Sequence, residues 1–180
     1  MQKTIWTFGL IAGAIMSVMM VITMRFMGRF GFDTGEVIGY TTMIAAFLLV
    51  FFGVRSYRDN VAGGKIGFGR AFAVGLGIVA IASVCYTATW EVLYYNYMPE
   101  FGAKYEQYTL DRARARGASE SDLAKMRLEA EQFKESYKNP VYNSAVTFLE
   151  PLPVGVLIAL ISAVILRRKR RDEGAALAAA

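Results

Sequence analysis

Four long apolar runs dominate the pattern of hydrophobic and polar positions along the chain. They cover residues of about 4–24, 37–54, 71–94 and 145–166; the first two contain no charged residue and the others one acid each. A helix needs about 20 mainly apolar residues to cross a bilayer. The pattern therefore predicts an all-α integral membrane protein with four transmembrane helices. The first run is longer than a signal-peptide core and no A-x-A-like site follows it, so we expect it to be retained.

Residues 99–139, between the third and fourth runs, carry helix signals without membrane-length apolarity. Pro99 can begin a first helix, Gly117 can end it, and Ser119 with Asp122 resembles a capping box. Apolar residues recur at helical spacing in both halves: Phe101, Tyr105 and Tyr108, then Leu123, Met126, Ala130, Phe133 and Tyr137. We predict an extramembrane helical hairpin. Its two apolar seams either zip together or also pair with a second copy or a partner.

Basic residues are distributed unevenly between the two sides of the predicted spans. One side carries Lys3, a short loop with Arg55, Arg58, Lys65 and Arg70, and a tail (167–180) that begins Arg167, Arg168, Lys169, Arg170 and Arg171. The first loop on the other side has only Arg25 and Arg29. The positive-inside rule then predicts that both termini and the tail are cytoplasmic and that the 99–139 hairpin is periplasmic. The net charge of +5 is thus topological and indicates no nucleic acid.

The same loop allows a sharper interpretation. Arg55, Arg58, Lys65 and Arg70 could bind lipid phosphate, although ordering of the turn by Arg58 and Asp59 is the simpler interpretation of the cluster.

The composition removes the commonest catalytic groups. The chain has no histidine and one cysteine, Cys85, which excludes histidine-based triads, His/Cys zinc sites and an intrachain disulfide. Gly63-Gly64-Lys65 lacks the rest of a P-loop, and Gly75-x-Gly77 lies inside an apolar run rather than after a strand. We therefore predict no enzyme, no metal site and no cofactor.

Five charged residues fall at one predicted membrane interface. Glu36 begins the second run, Glu91 ends the third, Glu150 lies about a turn inside the fourth, and Arg25 and Arg29 follow the first. Two interpretations stay open. The arginines neutralise the acids and fasten the helix ends, or Glu150 belongs to an outward-facing pocket that binds a cation or passes a proton.

Pro151 and Pro153 give Glu150 two possible settings. If the last helix begins at Glu150, the prolines lie harmlessly in its first turn and the carboxylate caps it. If the helix begins near Val141, the prolines break it within the membrane and leave free carbonyls.

Small residues recur four apart within three of the runs: Gly9, Gly13 and Ser17; Ala73 and Gly77; Gly155, Ala159 and Ala163. Such spacing lets membrane helices approach closely. The ladders predict packing within one chain or, alternatively, dimerisation.

Several short strings between about Thr4 and Arg171 are distinctive. They include Gly35-Glu36-Val37-Ile38-Gly39-Tyr40, Tyr57-Arg58-Asp59-Asn60, Gly63-Gly64-Lys65-Ile66-Gly67-Phe68-Gly69, Lys138-Asn139-Pro140 and Glu150-Pro151-x-Pro153-Val154-Gly155. By these strings the chain resembles the uncharacterised bacterial membrane family called domain of unknown function 4199. The resemblance implies a four-span inner-membrane protein of Gram-negative bacteria with a periplasmic hairpin, and it implies no activity.

Function is predicted only by class. We expect a non-enzymatic protein in contact with membrane lipids that acts by self-association, as a homo-oligomer, or by binding a membrane-protein partner through the hairpin. The alternatives are translocation of an ion, a proton or a small solute by an oligomer that uses the acids, and lipid binding between spans.

Overall fold

A computed structural model describes residues 1–167, apart from the side chain of Phe30, and all regular structure in that part of the chain is helical. The predicted basic tail therefore lies, from residue 168 onward, outside the described residues. Seven helices follow one another: α1 (Gln2–Arg29), α2 (Gly31–Asn60), α3 (Phe68–Tyr97), α4 (Phe101–Ala115), α5 (Glu120–Tyr137), α6 (Pro140–Leu149) and α7 (Leu152–Leu166).

Four helical segments are long and apolar enough to cross a membrane: α1, α2, α3, and α6 with α7 as Pro140–Leu166. The prediction of an all-helical chain with four such segments is confirmed. The first three segments extend beyond their apolar runs at both ends, and the fourth extends beyond its run only at its N-terminal end. The second run, 37–54, for example, lies inside Gly31–Asn60.

A glycine separates α1 from α2. Gly31 has φ 73° and ψ 171°, a conformation that only glycine adopts without strain. Beyond it the chain folds back, so that Gly35 lies beside Thr23 and Gly53 lies beside Phe8. The first two membrane-length helices are therefore antiparallel neighbours.

Small residues bring α1 and α3 together along a regular ladder. A Cβ atom added to Gly9 would lie 2.6 Å from the Cβ of Ile81, and one added to Gly13 would lie 2.6 Å from the Cβ of Cys85. One turn further, Thr89 Oγ1 donates a hydrogen bond of 2.7 Å to Ser17 Oγ. Because each step advances both helices by four residues, α1 and α3 run parallel.

The second ladder packs α7 against α3. A Cβ atom added to Gly75 would lie 2.9 Å from the Cβ of Ala159, and one added to Gly155 would lie 2.4 Å from Val79 Cγ1. Ala163 is fully buried, and an added Cβ at Gly77 would meet Ile5 of α1, whereas Ala73 is exposed. The ladder residues other than Ala73 thus pack within the chain.

The helix directions define two ends of the molecule. The near end contains Met1, residues 61–67 and Arg167; the far end contains Gly31, Met98 and Pro140. Helices α4 and α5, which make up most of the predicted hairpin segment, follow α3 at the far end.

Local signals set the bounds of these two helices. Helix α4 begins at Phe101 rather than Pro99, since residues 99 and 100 form a turn, and Gly117 with φ 83° follows its end. Ser119 caps α5 as predicted, because its hydroxyl accepts a 3.2 Å hydrogen bond from the Asp122 N–H. The two helices contact each other through Glu106 and Lys134, whose Oε2 and Nζ atoms lie 3.1 Å apart.

Candidate functional site

A cavity of about 590 Å³ lies at the far end, between α4 and α5 on one side and the ends of α1, α3 and α6 on the other. Its size falls in the range of small-molecule sites, roughly 300–1,000 Å³. Most of its wall is apolar or aromatic, and seven aromatic rings contribute to it: Tyr86, Trp90, Tyr94, Phe101, Tyr105, Phe133 and Tyr137.

Helix α3 provides the membrane-side wall. Tyr86, Trp90 and Tyr94 are four residues apart and therefore share one helix face. Trp90 is only 7% exposed, and its indole N–H donates a 3.0 Å hydrogen bond to the Asn143 side-chain oxygen on α6. Its ring also meets the Phe101 ring edge-on, with centroids 5.0 Å apart. Trp90 thus ties α3 to both α6 and α4.

A short chain of polar side chains continues from this hydrogen bond. Thr147 Oγ1 donates a 3.2 Å hydrogen bond to the oxygen of Asn143, which is fully buried. The hydroxyl of Tyr137, at the end of α5, lies 3.1 Å from Thr147 Oγ1. Burial raises the pKa of Tyr137, so its phenol stays neutral at ordinary pH. The chain holds α5 against α6 at the cavity wall.

The apolar seams of α4 and α5 form the opposite wall. Leu110 and Leu123 are buried, whereas Phe101, Tyr105, Met126, Ala130, Phe133 and Tyr137 face the cavity. The expectation that the two seams pack directly against each other is therefore not confirmed. Each seam instead finds rings elsewhere: Tyr108 stacks on Phe32 with centroids 4.9 Å apart, and Tyr137 meets Tyr94 edge-on at 5.4 Å.

Polar contacts connect α4 to α2; we call Asp33, Tyr108 and Arg112 the α4 latch. Tyr108 OH donates a 2.5 Å hydrogen bond to Asp33 Oδ1, and Arg112 Nη1 donates one of 3.0 Å to the Tyr108 oxygen. Arg112 Nη1 also lies 3.4 Å from Asp33 Oδ1. The hydrogen bond to Asp33 raises the pKa of Tyr108.

Glu150 is the one acid of the predicted interface cluster that lines the cavity. Tyr86 OH donates a 3.1 Å hydrogen bond to Glu150 Oε2, and the side chain stays accessible from the cavity. A tyrosine from α3, 64 residues away, is thus the partner that the sequence could not name.

The prolines beside Glu150 interrupt a helix that began earlier. Asn139 caps α6, since its side-chain oxygen accepts from the N–H groups of Val141 and Tyr142. Glu150 directly follows Leu149 as the C-terminal cap residue of α6, and Pro151, not Glu150, precedes α7. Pro151 and Pro153 have no N–H to offer to the carbonyls of Thr147 and Leu149. Of the two settings left open by the sequence, the structure contains the break within the span.

Among the described residues, none of the other members of the predicted interface cluster forms a hydrogen bond or an ion pair with Glu150. Glu36, Arg25 and Arg29 are exposed, and the Arg29 guanidinium lies 5.8 Å from the centre of the Phe26 ring. Glu91 is half-buried, with a buried Oε1 that has no hydrogen-bond partner among the described residues. No ion pair within 4.0 Å joins the five in the part of the chain that the structure describes, because the arginines project from the outer face of α1.

The basic loop is at the near end, away from the cavity. Asp59 lies 2.7 Å from Arg58 Nε and 3.7 Å from Arg55 Nε. Lys65 and Arg70 are exposed. Two of the four candidate phosphate contacts thus already share a carboxylate of the chain.

Sequence reasoning missed Tyr86, Asn143 and Thr147 as site residues. The spacing of Tyr86, Trp90 and Tyr94 was a usable signal, because it places three rings on one helix face. Asn143 and Thr147, also four apart, form a polar pair within an otherwise apolar helix, a pattern that indicates a buried partner.

Comparison with known proteins completes this description. No curated protein and no solved structure matches the chain significantly. The model of one family, described as a protein of unknown function (DUF4199), matches residues 7–168, which contain every residue that lines the cavity. The chain therefore belongs to the DUF4199 family.

Proposed function

We propose that this protein binds an apolar or amphipathic small molecule of lipid-like character in the far-end cavity. The single observation that carries the proposal is the cavity itself: about 590 Å³, walled by aromatic rings and opening between membrane-length helices and the α4–α5 pair. The function is binding rather than catalysis, and it corresponds to the lipid-binding alternative of the sequence.

Packing supports a ligand in this place. The seams of α4 and α5 could have buried their rings against one another, yet several of them border open space instead. Apolar surface that a fold leaves uncovered is a frequent feature of ligand-binding grooves. Among the polar groups that border the cavity, Thr147, Tyr137 and Glu150 are held by hydrogen bonds at its inner end, which suits orientation of a bound molecule.

Trp90 offers a direct binding assay. The chain has two tryptophans, and Trp6 is 54% exposed and distant from the cavity, so Trp6→Phe leaves Trp90 as the sole reporter. In nanodiscs of neutral lipid, the uncharged fluorophore N-phenyl-1-naphthylamine should bind saturably and accept energy from Trp90. Ala130→Phe, which fills the cavity, should abolish the saturable signal.

The matched control lies on the same helix. Ala124 is exposed on α5 and does not border the cavity, so Ala124→Phe should bind the fluorophore normally. Equal saturable binding by the Ala130→Phe and Ala124→Phe variants, or none by the parent protein, contradicts the proposal.

Self-association or partner binding, the function favoured by the sequence, is a second proposal. Fewer surfaces support it than the sequence suggested. The small-residue faces and many seam residues that motivated it contact other parts of the same chain. Leu128, 57% exposed on α5, is one remaining apolar position for a partner. A detergent-solubilised particle with the mass of one chain, and no crosslinked product through residue 128 in cells, would contradict it.

Translocation of an ion, a proton or a small solute is a third proposal. It now depends on Glu150 alone, since Glu36 and Glu91 do not border the cavity. Flux into proteoliposomes that is unchanged by Glu150→Gln would contradict it.

The orientation is proposed from the charge distribution. We place the near end in the cytoplasm and α4–α5 in the periplasm of an inner membrane, with Arg55, Arg58, Lys65 and Arg70 near lipid phosphate. In a Cys85→Ser background, an impermeant maleimide should label Ala124→Cys in intact spheroplasts and should label Gly64→Cys only after lysis. The reverse labelling pattern contradicts the orientation.

A further inference from the structure

The charges on the cavity wall restrict the chemistry of a ligand. Three carboxylates border the cavity, Glu106, Glu129 and Glu150, against one cation, Lys134. Three charges of −1 and one of +1 give a formal balance of −2. Lys134 Nζ lies 3.1 Å from Glu106 Oε2 and is therefore already paired. Glu129 and Glu150 have no ion-pair partner among the residues that the structure describes.

Glu150 is the best placed of these carboxylates. Its one hydrogen-bond partner among the described residues is the neutral phenol of Tyr86, and no basic side chain lies within ion-pairing distance. A carboxylate at a break within a membrane-length apolar segment is costly to leave without a counter-charge. A cation bound in the cavity would supply that charge.

The surrounding rings favour the same kind of ligand. Aromatic faces carry negative potential and attract ammonium groups and other organic cations within about 6 Å. Tyr86, which hydrogen-bonds to Glu150, and Trp90 border the cavity from α3, and Tyr137 borders it from α5. A fatty acid or another anion would face an acidic wall, whereas an organic cation meets rings and a carboxylate together.

We infer that the far-end cavity binds an organic cation that has an apolar body, with the cationic centre near Glu150 and the body against the rings of α3, α4 and α5. The inference rests on the proposed function, because it specifies the charge of the molecule that the cavity binds. The cation is either a water-soluble amine or the ammonium of a lipid headgroup.

Two probes of equal shape and opposite charge test the inference. Tetraphenylphosphonium and tetraphenylborate are titrated into the full-length Trp6→Phe protein in neutral-lipid nanodiscs, and quenching of Trp90 is recorded. The quenching measured with the Ala130→Phe variant is subtracted from that of the parent protein. This subtraction removes the contribution of probe that has partitioned into the lipid. We expect the phosphonium to bind at least about tenfold more tightly than the borate.

Substitutions locate the charge that is responsible. Glu150→Gln retains an oxygen that can accept from Tyr86 and should weaken phosphonium binding by about tenfold, a typical effect of losing one charge-assisted contact. Glu131→Gln, at an exposed acid of α5 that does not border the cavity, should leave it unchanged. If the melting curve shows that Glu150→Gln does not fold, Glu129→Gln provides the second variant. A smaller loss is expected there, because no hydrogen bond among the described residues fixes the Glu129 carboxylate as Tyr86 fixes that of Glu150.

Competitors distinguish the two sources of the cation. Displacement of the phosphonium by a short-chain phosphoethanolamine lipid assigns the site to a lipid headgroup, and displacement by decyltrimethylammonium alone assigns it to a soluble amine. Displacement by neither overturns the inference. So does equal or tighter binding of the borate, and if N-phenyl-1-naphthylamine still binds in that case, the proposed function survives without this inference.

Discussion

At the scale of single residues, a buried amide holds the cavity wall together. Asn143 is fully buried in a helix of the fourth candidate span, and its side-chain oxygen accepts hydrogen bonds from Trp90 and Thr147. Burial of an amide in an apolar setting is costly unless it is hydrogen-bonded. Only the oxygen meets this condition, since the buried Nδ2 has no hydrogen-bond partner among the described residues. The position of Asn143 is thus explained by the two partners of its oxygen, both of which border the cavity.

Asn143→Ala should destabilise the protein. The substitution leaves the Trp90 N–H without its acceptor and opens a small void, with an expected loss of about 1–2 kcal/mol in the free energy of unfolding. The free energy of unfolding is measured by titrating dodecyl sulfate into the protein in mixed micelles. Asn96→Ala is the control, because Asn96 is exposed and its side chain donates only to the Val92 carbonyl of its own helix. Equal losses for both variants contradict this role of Asn143.

Single residues could be predicted from the sequence only where the signal was local. Ser119 caps α5 through Asp122, three residues away, and Gly117 follows the end of α4. The partner of Glu150 lies 64 residues away and that of Asn143 lies 53 residues away. Such pairs depend on how the helices pack, which a hydropathy pattern does not contain, so the predicted arginine partners were not found.

At the scale of the elements, the close contact between α3 and α7 leaves room for only one methyl group at the point where Gly75 faces Ala159. Gly75 faces Ala159, and an added Cβ would lie 2.9 Å from the Cβ of Ala159. Gly75→Ala should therefore lower the free energy of unfolding by about 1–3 kcal/mol. Adding Ala159→Gly should restore part of the loss, because the exchange moves the methyl group across the interface.

Gly39→Ala is the matched control for this pair. Gly39 is also within a membrane-length helix, but an added Cβ there meets nothing within 4 Å. We expect it to be neutral or slightly stabilising, by up to about 1 kcal/mol. If the α3–α7 double variant is no more stable than Gly75→Ala alone in the same micelle assay, the steric account of this interface is wrong.

The turn between α1 and α2 provides another element-scale prediction. Gly31→Ala places a methyl group on a residue at φ 73° and ψ 171°, and the strain should cost about 1–3 kcal/mol of unfolding free energy. Gly28→Ala, in the adjacent helix and also in open space, should cost nothing. A Gly31→Ala protein as stable as the Gly28→Ala protein would show that the chain can turn here without the glycine conformation.

The sequence predicted the elements better than their arrangement. Apolar runs and helix caps gave the four spans and both helices of the segment 99–139, since each signal acts within a few turns. The orientation of the seams was not predicted. Apolar residues spaced three and four apart indicate that one helix face is covered, but they do not indicate which other element covers it. Rings of the seams instead contact Phe32, Trp90 and Tyr94, which come from distant parts of the chain.

At the scale of the whole molecule, α4 and α5 are held over the span ends by a few side-chain contacts. Ring contacts join Phe101 to Trp90 and Tyr137 to Tyr94, and the α4 latch adds Asp33, Tyr108 and Arg112. Segments with few buried contacts open at lower free energy than a packed core. Opening of the α4–α5 pair is therefore the motion by which a molecule would enter the cavity.

Removal of the latch should widen this motion. Spin labels at Ala103→Cys on α4 and Thr34→Cys on α2, in a Cys85→Ser background, report the distance between the two helices by pulsed electron resonance. Tyr108→Phe keeps the ring stack on Phe32 but loses the hydrogen bond to Asp33, so the distance distribution should broaden. Tyr97→Phe, at an exposed tyrosine outside the latch, should leave the distribution unchanged.

The same latch predicts a response to alkaline pH. The hydrogen bond to Asp33 raises the pKa of Tyr108 above the ordinary tyrosine value of about 10. A raised pKa means that the folded state favours the neutral phenol, so the latch contributes fully below about pH 10 and is lost as the pH rises through the raised pKa. In that alkaline range, the distribution of distances between the two spin labels should broaden in the parent protein. In Tyr108→Phe, where it is already broad, it should not broaden further. Equal alkaline broadening in both proteins would mean that other groups, and not the Tyr108 phenol, release α4 from the spans.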